Sequence, residues 1–416
     1  MYKKILHYFL LFLLLFSSFF VVSYDSRKGN LDDFAYCLAI GIDVGENSPL
    51  KLSFQIPSDS SSGGSGQSGG SSEQSSSSLV YSIDCESIDS GINLINTYIV
   101  KQISLSHCRA IVISEEYASL DVSDVIYTLM NKVEINSGCI VMVSRGTAKD
   151  YLNQASSSIE SASARYYDSS VKSSYSTGLI QKTTLSEFFS SIKDTFKEPI
   201  ASLGSINTSE TQQKTDNSSS VQKDANNKAG DSSTKDSSVH SEDLGLAVFK
   251  GTKLVGELNG LETACHLILT NKLQSYNLTI PDPFNNSDTI DVHIILKKPT
   301  KVNLKLVNGS PYIDVNIEIT ARLLSMNNES GYLTNNNISV IEETCNYYLK
   351  QQIISYLYKT SKEFESDVVG FGKYAVSKFA TLEDWYSYNW LANYQNSYFN
   401  VNVNTNMKSG YLLMEM

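Results

Sequence analysis

Two low-complexity stretches decide how this 416-residue chain can fold. Ser58 to Ser78 is almost entirely Ser and Gly, with two Gln, one Glu and one Asp. Ser205 to Asp243 is rich in Ser, Asn, Asp, Lys and Thr and carries almost no large apolar residue. Such segments bury too little apolar surface to offset their ordering entropy. The first reads as a flexible linker or overgrown loop, the second as a disordered linker between two halves. Neither shows a regular repeat, which argues against a solenoid. Outside them the chain is ordinary globular sequence: 41% of all residues are apolar and 19% charged, enough for real cores.

The N-terminus carries an export signal. Lys3 and Lys4 precede a mostly apolar run from Ile5 to Val22. Two fates are open. Val21 and Ser23 suit the −3 and −1 positions of a cleavage site before Tyr24; uncut, the run is an anchor with its positive end in the cytoplasm. The net charge of −11 repels phosphate backbones, so no nucleic-acid partner is expected. It also disfavours adhesion to anionic lipid by charge alone.

Periodicity gives the elements. Ala35–Asp43 and Leu50–Ile56 read as a hairpin with one buried face, from Leu50, Leu52, Phe54 and Ile56. Ile88, Ile92, Ile95, Ile99 and Ile103 predict one helix over 87–103. Strands at 109–114 and 139–144 alternate with helices at 122–133, 147–155 and 185–196. Beyond Leu244 come a hairpin around Lys250–Lys253, a short helix over 261–270 and strands at 290–296, 302–306 and 313–324. A capping box at Ser339–Glu342 opens a helix running to about Phe364, and Phe399–Val403 is a last strand. The fold class is therefore α+β: multi-domain, with mixed and antiparallel sheets flanked by helices and disordered Ser-rich insertions. The expected divisions are 1–23 signal or anchor, 24–204 N-terminal domain with the Ser/Gly loop 58–78, 205–243 linker and 244–416 C-terminal domain; an alternative splits the N-terminal half in two, with the small hairpin around Phe249 joining a middle module.

Chemistry is sparse. Cys37, Cys85, Cys108, Cys139, Cys265 and Cys345 show no CxxC spacing, so buried thiols are expected, with room for one or two bridges. His107-Cys108 and Cys265-His266 are poor chelates, and no metal or cofactor is assigned. Gly41-Ile42-Asp43-Val44-Gly45 looks like a phosphate loop, but Glu46 would repel phosphate; a hairpin turn is preferred. No GxSxG or HExxH occurs, and no catalytic residue is assigned. Trp385, Trp390 and Tyr394 lie in an aromatic cluster that suits either a contact surface or core packing.

Several blocks carry a family resemblance: Tyr24-Asp25 and Leu38–Asp43; His107 with Ile111–Glu115 and Ala118; Val143–Asp150; Ala247–Leu258; Phe364–Gly372; and Trp385 with Trp390. In this order they resemble the Ger(x)C family, exported spore-germination lipoproteins that form the C subunits of nutrient germinant receptors. The resemblance implies a non-enzymatic scaffold or assembly role beside A and B type membrane subunits, on the outer face of the spore inner membrane. One departure stands out. Ser23 occupies the position of the lipobox cysteine and cannot form a thioether, so attachment would fall to an uncleaved signal or to partners. Two other classes compete: an adhesion module on a Ser-rich stalk, and a secreted sugar- or peptide-acting enzyme, for which no carboxylate cluster or activated nucleophile is visible.

Overall fold

The structure, a computed structural model, describes residues 2–24, 31–58, 78–155, 166–167, 169, 177–206, 226–231, 241–285, 288–326 and 335–408. The low-complexity residues 59–77, 207–225 and 232–240 lie outside these, as does the Ser23 side chain. Helix α1 (Tyr2–Tyr24) exposes every described side chain, Phe9 and Phe12 included. Among the described residues no helix is long and apolar enough to cross a membrane.

Sixteen strands follow: β1 (Phe34–Tyr36), β2 (Ala39–Val44), β3 (Leu50–Pro57), β4 (Ser78–Cys85), β5 (Gln102–Ser104), β6 (Ala110–Ser114), β7 (Ile140–Arg145), β8 (Thr183–Thr184), β9 (Ile200–Ile206), β10 (Ser241–Lys250), β11 (Lys253–Leu258), β12 (Tyr276–Pro281), β13 (Thr289–Leu296), β14 (Lys301–Val307), β15 (Ser310–Met326) and β16 (Tyr398–Met407). The helices are α2 (Ile88–Ile95), α3 (Glu115–Leu120), α4 (Ser123–Asn131), α5 (Ala148–Gln154), α6 (Leu185–Lys193), α7 (Gly260–Leu269), α8 (Asn335–Tyr358), α9 (Gly372–Ala375), α10 (Leu382–Tyr388) and α11 (Trp390–Asn393). The fold is α+β.

The first sheet has the order β11-β10-β9-β7-β6-β2-β3-β4, with β8 pairing beside β7. Its centre, β2, β6, β7 and β9, is parallel, and its flanks are antiparallel. The central strands Ala-Ile-Val-Ile-Ser and Ile-Val-Met-Val-Ser are buried throughout because helices cover both faces. One face packs Ile40, Ile111, Val143 and Leu203 with residues of α2, α4 and α6; the other packs Ala110, Val112 and Met142 under α5. The second sheet, β12-β13-β15-β14 with β16 parallel to β15, has one buried face. Its strands alternate accordingly: Leu278, Ile280, Val292 and Ile294 point inward. Helix α7 joins the two layers. Nine of its ten residues are buried, between Leu246 and Val248 of the first sheet and Ile341, Cys345 and Leu349 of α8.

Three expectations are corrected. The helix expected over 87–103 ends at Ile95. Thr97-Tyr98-Ile99-Val100 is poor helix sequence, and Ile103 instead enters β5, its N–H held by Asn96 Oδ1 at 2.9 Å. The stretch 205–243 is no linker between halves. Ile206 pairs with Ser241 across antiparallel β9 and β10, so it is an insertion within one sheet. Its Ala229 is buried, and Arg145 Nη1 binds both the Ala229 carbonyl (2.7 Å) and Asp231 (2.8 Å). Finally, Trp385, Trp390 and Tyr394 are 3%, 1% and 0% exposed, so they are core and not a contact surface. Large rings are held where two sheets and a helix layer leave space to fill.

Candidate functional site: the Asp367 junction

Two blocks singled out in the sequence, Ala247–Leu258 and Phe364–Gly372, are each other's partners. After α8 a wide helical turn at Lys359–Glu363 brings the chain back against the β10–β11 hairpin. Ser366 Oγ donates to the Phe249 carbonyl at 2.6 Å, and Lys250 pairs with Glu365. The Phe364 ring lies against Gly256: a Cβ there would fall 2.2 Å from Phe364 Cε1. Lys359 Nζ reaches the Glu257 carbonyl (3.2 Å) and the Glu262 carboxylate (2.8 Å), fastening the N-terminus of α7 to the same point.

Asp367 is the centre. It is wholly buried, and its carboxylate accepts four hydrogen bonds. Oδ1 takes the N–H groups of Gly370 (2.8 Å) and Phe371 (3.1 Å); Oδ2 takes Gly372 N–H (3.0 Å) and Trp390 Nε1–H (2.8 Å). The glycines make this possible. Gly370 has φ +80°, and at Gly372 a Cβ would lie 2.5 Å from Phe196 Cβ. Burial raises the Asp367 pKa to about 6, with the four donors pulling the other way. The Asp367 carbonyl accepts from Glu198 N–H at 3.0 Å. Glu198, itself buried, accepts Gly251 N–H at 2.7 Å; burial, with the charge of Asp367 adding to it, raises its pKa to about 7. Around this knot Trp390 stacks on Trp385 (centroids 6.2 Å apart), Phe371 stacks on Tyr394, and Trp385 Nε1 donates to Thr195 Oγ1 at 3.0 Å.

Lys197, Glu198 and Thr195 belong to the α6–β9 connector and carry no motif. Their only sequence signal is a charged pair directly before a buried strand.

The other blocks meet in the same way. Asp43 places its carboxylate on the N–H groups of Ala148 (2.7 Å) and Lys149 (3.0 Å), at the carboxyl ends of the parallel strands. That is where an open α/β sheet would receive an anion. Here the chain's own Asp43 carboxylate occupies the place. Arg145, from the 143–150 block, lies 3.5 Å from Glu257 of the 247–258 block.

Among the described residues, no group of three or more His, Cys, Asp or Glu side chains could hold a metal. His266 is buried in α7, with Nδ1 2.8 Å from Tyr356 OH, and burial drives its pKa down to about 3. All six cysteines are free and buried; no bridge forms. A crevice of ≈360 Å³ beside α6 is lined by Gln181, Lys182, Glu187 and Lys272. Its charges are paired: Lys182 with Asp243 at 2.6 Å, Lys272 with Glu187 at 4.0 Å.

Residues 26–206 match the family model of the spore germination protein N-terminal domain, and residues 244–410 match that of the spore germination B3/GerAC-like C-terminal domain. The chain belongs to the Ger(x)C family. It is similar to YfkR of Bacillus subtilis (strain 168), described as a spore germination protein: 23% identical over 365 residues, covering 87% of this chain and 86% of that one. It also aligns with the crystal structure of the GerBC protein at a TM-score of 0.46 and 14% identity, covering 88% of this chain and 96% of the other. The two Ger(x)C family models end and begin at 206 and 244, on either side of the insertion that β9 and β10 close.

Proposed function

We propose that the chain is a non-enzymatic, exported C subunit of a spore nutrient germinant receptor. It acts as a scaffold on the outer face of the spore inner membrane, beside A and B type membrane subunits. The observation that carries this reading is the use made of the family blocks. Their polar residues are spent on one another: Asp367 on Trp390 and three backbone N–H groups, Asp43 on the start of α5, Ser366 on Phe249. An active site keeps polar groups aimed at a ligand; here they hold two sheets and α7 in one fixed relation. Attachment falls to the apolar run 5–22, since Ser23 offers no thiol for lipid.

The stalked-adhesin reading fits less well. A stalk must hold parts away from an anchor. Both low-complexity insertions instead leave and re-enter at paired positions, Pro57 with Ser78 and Ile206 with Ser241. They are hairpin insertions and separate nothing.

The test is germination of spores lacking this protein, with other receptors removed, on single nutrients. Loss of response to one nutrient class, restored by the intact gene, supports the reading; normal germination on every nutrient overturns it.

A further inference from the structure

A groove opens at the corner where the two-stranded β1–β5 sheet meets β3 and β4 of the nine-stranded sheet, close in sequence to the N-terminal run. This groove of ≈430 Å³ is lined by Phe34 and Tyr36 of β1, Leu79 and Tyr81 of β4, and Ile99 and Val100 of the loop before β5. The loop tip protrudes: Val100 is fully exposed and Tyr98 is 73% exposed. Leu79 and, on the last turn of α2, Leu94 are 47% and 42% exposed. Lys101 and Asp32 are the charged residues of the rim. For a lone soluble domain this is an expensive grouping, since large apolar side chains gain nothing from water.

We propose that this corner is a membrane-contact surface, in which Tyr98, Val100 and the groove rim sit at the lipid headgroup level. The inference rests on the reading that the 5–22 run lies in a bilayer. Covalent geometry then does most of the work. Only seven residue steps separate Tyr24, the end of α1, from Leu31, and these span at most about 25 Å. The groove begins one residue later, at Asp32. Whatever α1 enters, Leu31 at the edge of the groove lies within that distance of its end. Tethering turns a weak contact into an intramolecular one, so the corner needs no independent affinity. The composition suits the interface: aromatic rings with a polar tip, aliphatic side chains, and a lysine at the rim. It also suits a chain of net charge −11, which cannot rely on anionic lipid. The contact fixes orientation, with the amino ends of the parallel strands toward the bilayer.

The experiment uses the full chain carrying Val100→Cys, labelled with an environment-sensitive fluorophore. The six native thiols are buried, and unsubstituted chain gives the background. The protein is reconstituted into phosphatidylcholine vesicles with and without brominated acyl chains, and flotation is scored alongside. The expected result is flotation, with a blue-shifted label at residue 100 that brominated lipid quenches, repeated with Tyr98→Cys, while a label at Tyr386→Cys in α10 stays aqueous. Flotation with residues 98 and 100 both aqueous overturns this inference and leaves the anchor standing. Failure to float removes the anchor and this inference with it. A shift that appears only when polytopic partner subunits are added, without lipid quenching, assigns the corner to a protein and also overturns it.

Discussion

Trp390 donates its indole N–H to Asp367 at 2.8 Å in a space closed to water on every side. Through that bond the C-terminal helices α10 and α11 are tied to the segment that grips the β10–β11 hairpin of the other sheet. Removing the acceptor therefore strands four donors at once. Asp367→Ala is expected to destabilise the protein by at least about 3 kcal/mol, since each buried unpaired donor costs about 1–3 kcal/mol. Calorimetry in mild detergent checks this; a loss under about 1 kcal/mol contradicts it.

Gly256 and Phe364 should behave as a coupled pair. A methyl group at Gly256 would meet the Phe364 ring at 2.2 Å. Overpacking of this kind costs about 1–3 kcal/mol. Gly256→Ala should be destabilising alone and nearly neutral in a Phe364→Ala background. Strict additivity of the two changes would show that they do not touch.

Stability should fall as pH rises through the junction's two acids. Glu198 and Asp367 have folded pKa values raised to about 7 and about 6, above their unfolded values. Between unfolded and folded pKa the native state holds the extra proton, so this contribution is greatest at low pH and lost as pH rises toward 7. Glu198→Gln keeps an acceptor for Gly251 N–H and removes the charge. Urea midpoints between pH 5 and 8 should decline with pH in the wild type and flatten in this variant. An unchanged slope would remove Glu198 from the account.

Both tryptophans of the chain are Trp385 and Trp390, so its indole fluorescence reports on the junction alone. Iodide should quench it weakly in the native protein and strongly in urea. Ready native quenching would place the rings at the surface.

Much of this was legible beforehand. Period-two runs such as Ile290, Val292 and Ile294 marked half-buried strands, and the block order marked the family. Strand β12 is absent from the sequence reading although Tyr276, Leu278 and Ile280 alternate and point inward. Isoleucine spacing extends the helix over 87–103 because it cannot tell a helix from a turn leading into a short strand. Tryptophans 385 and 390 admitted two readings because an aromatic cluster looks alike at an interface and in a core. The site residues Thr195 and Glu198 are invisible in the sequence, since their role depends on a connector meeting segments about 170 or more residues away.

The central claim is that the Asp367 junction serves germination by holding the scaffold together. It is tested most directly in spores whose only nutrient receptor includes this protein. Asp367→Ala should abolish the nutrient response that the intact gene supports, with germination by non-nutrient triggers unchanged. A full nutrient response from Asp367→Ala spores, with the variant present at wild-type level and its junction shown to be open by indole quenching, would contradict the account.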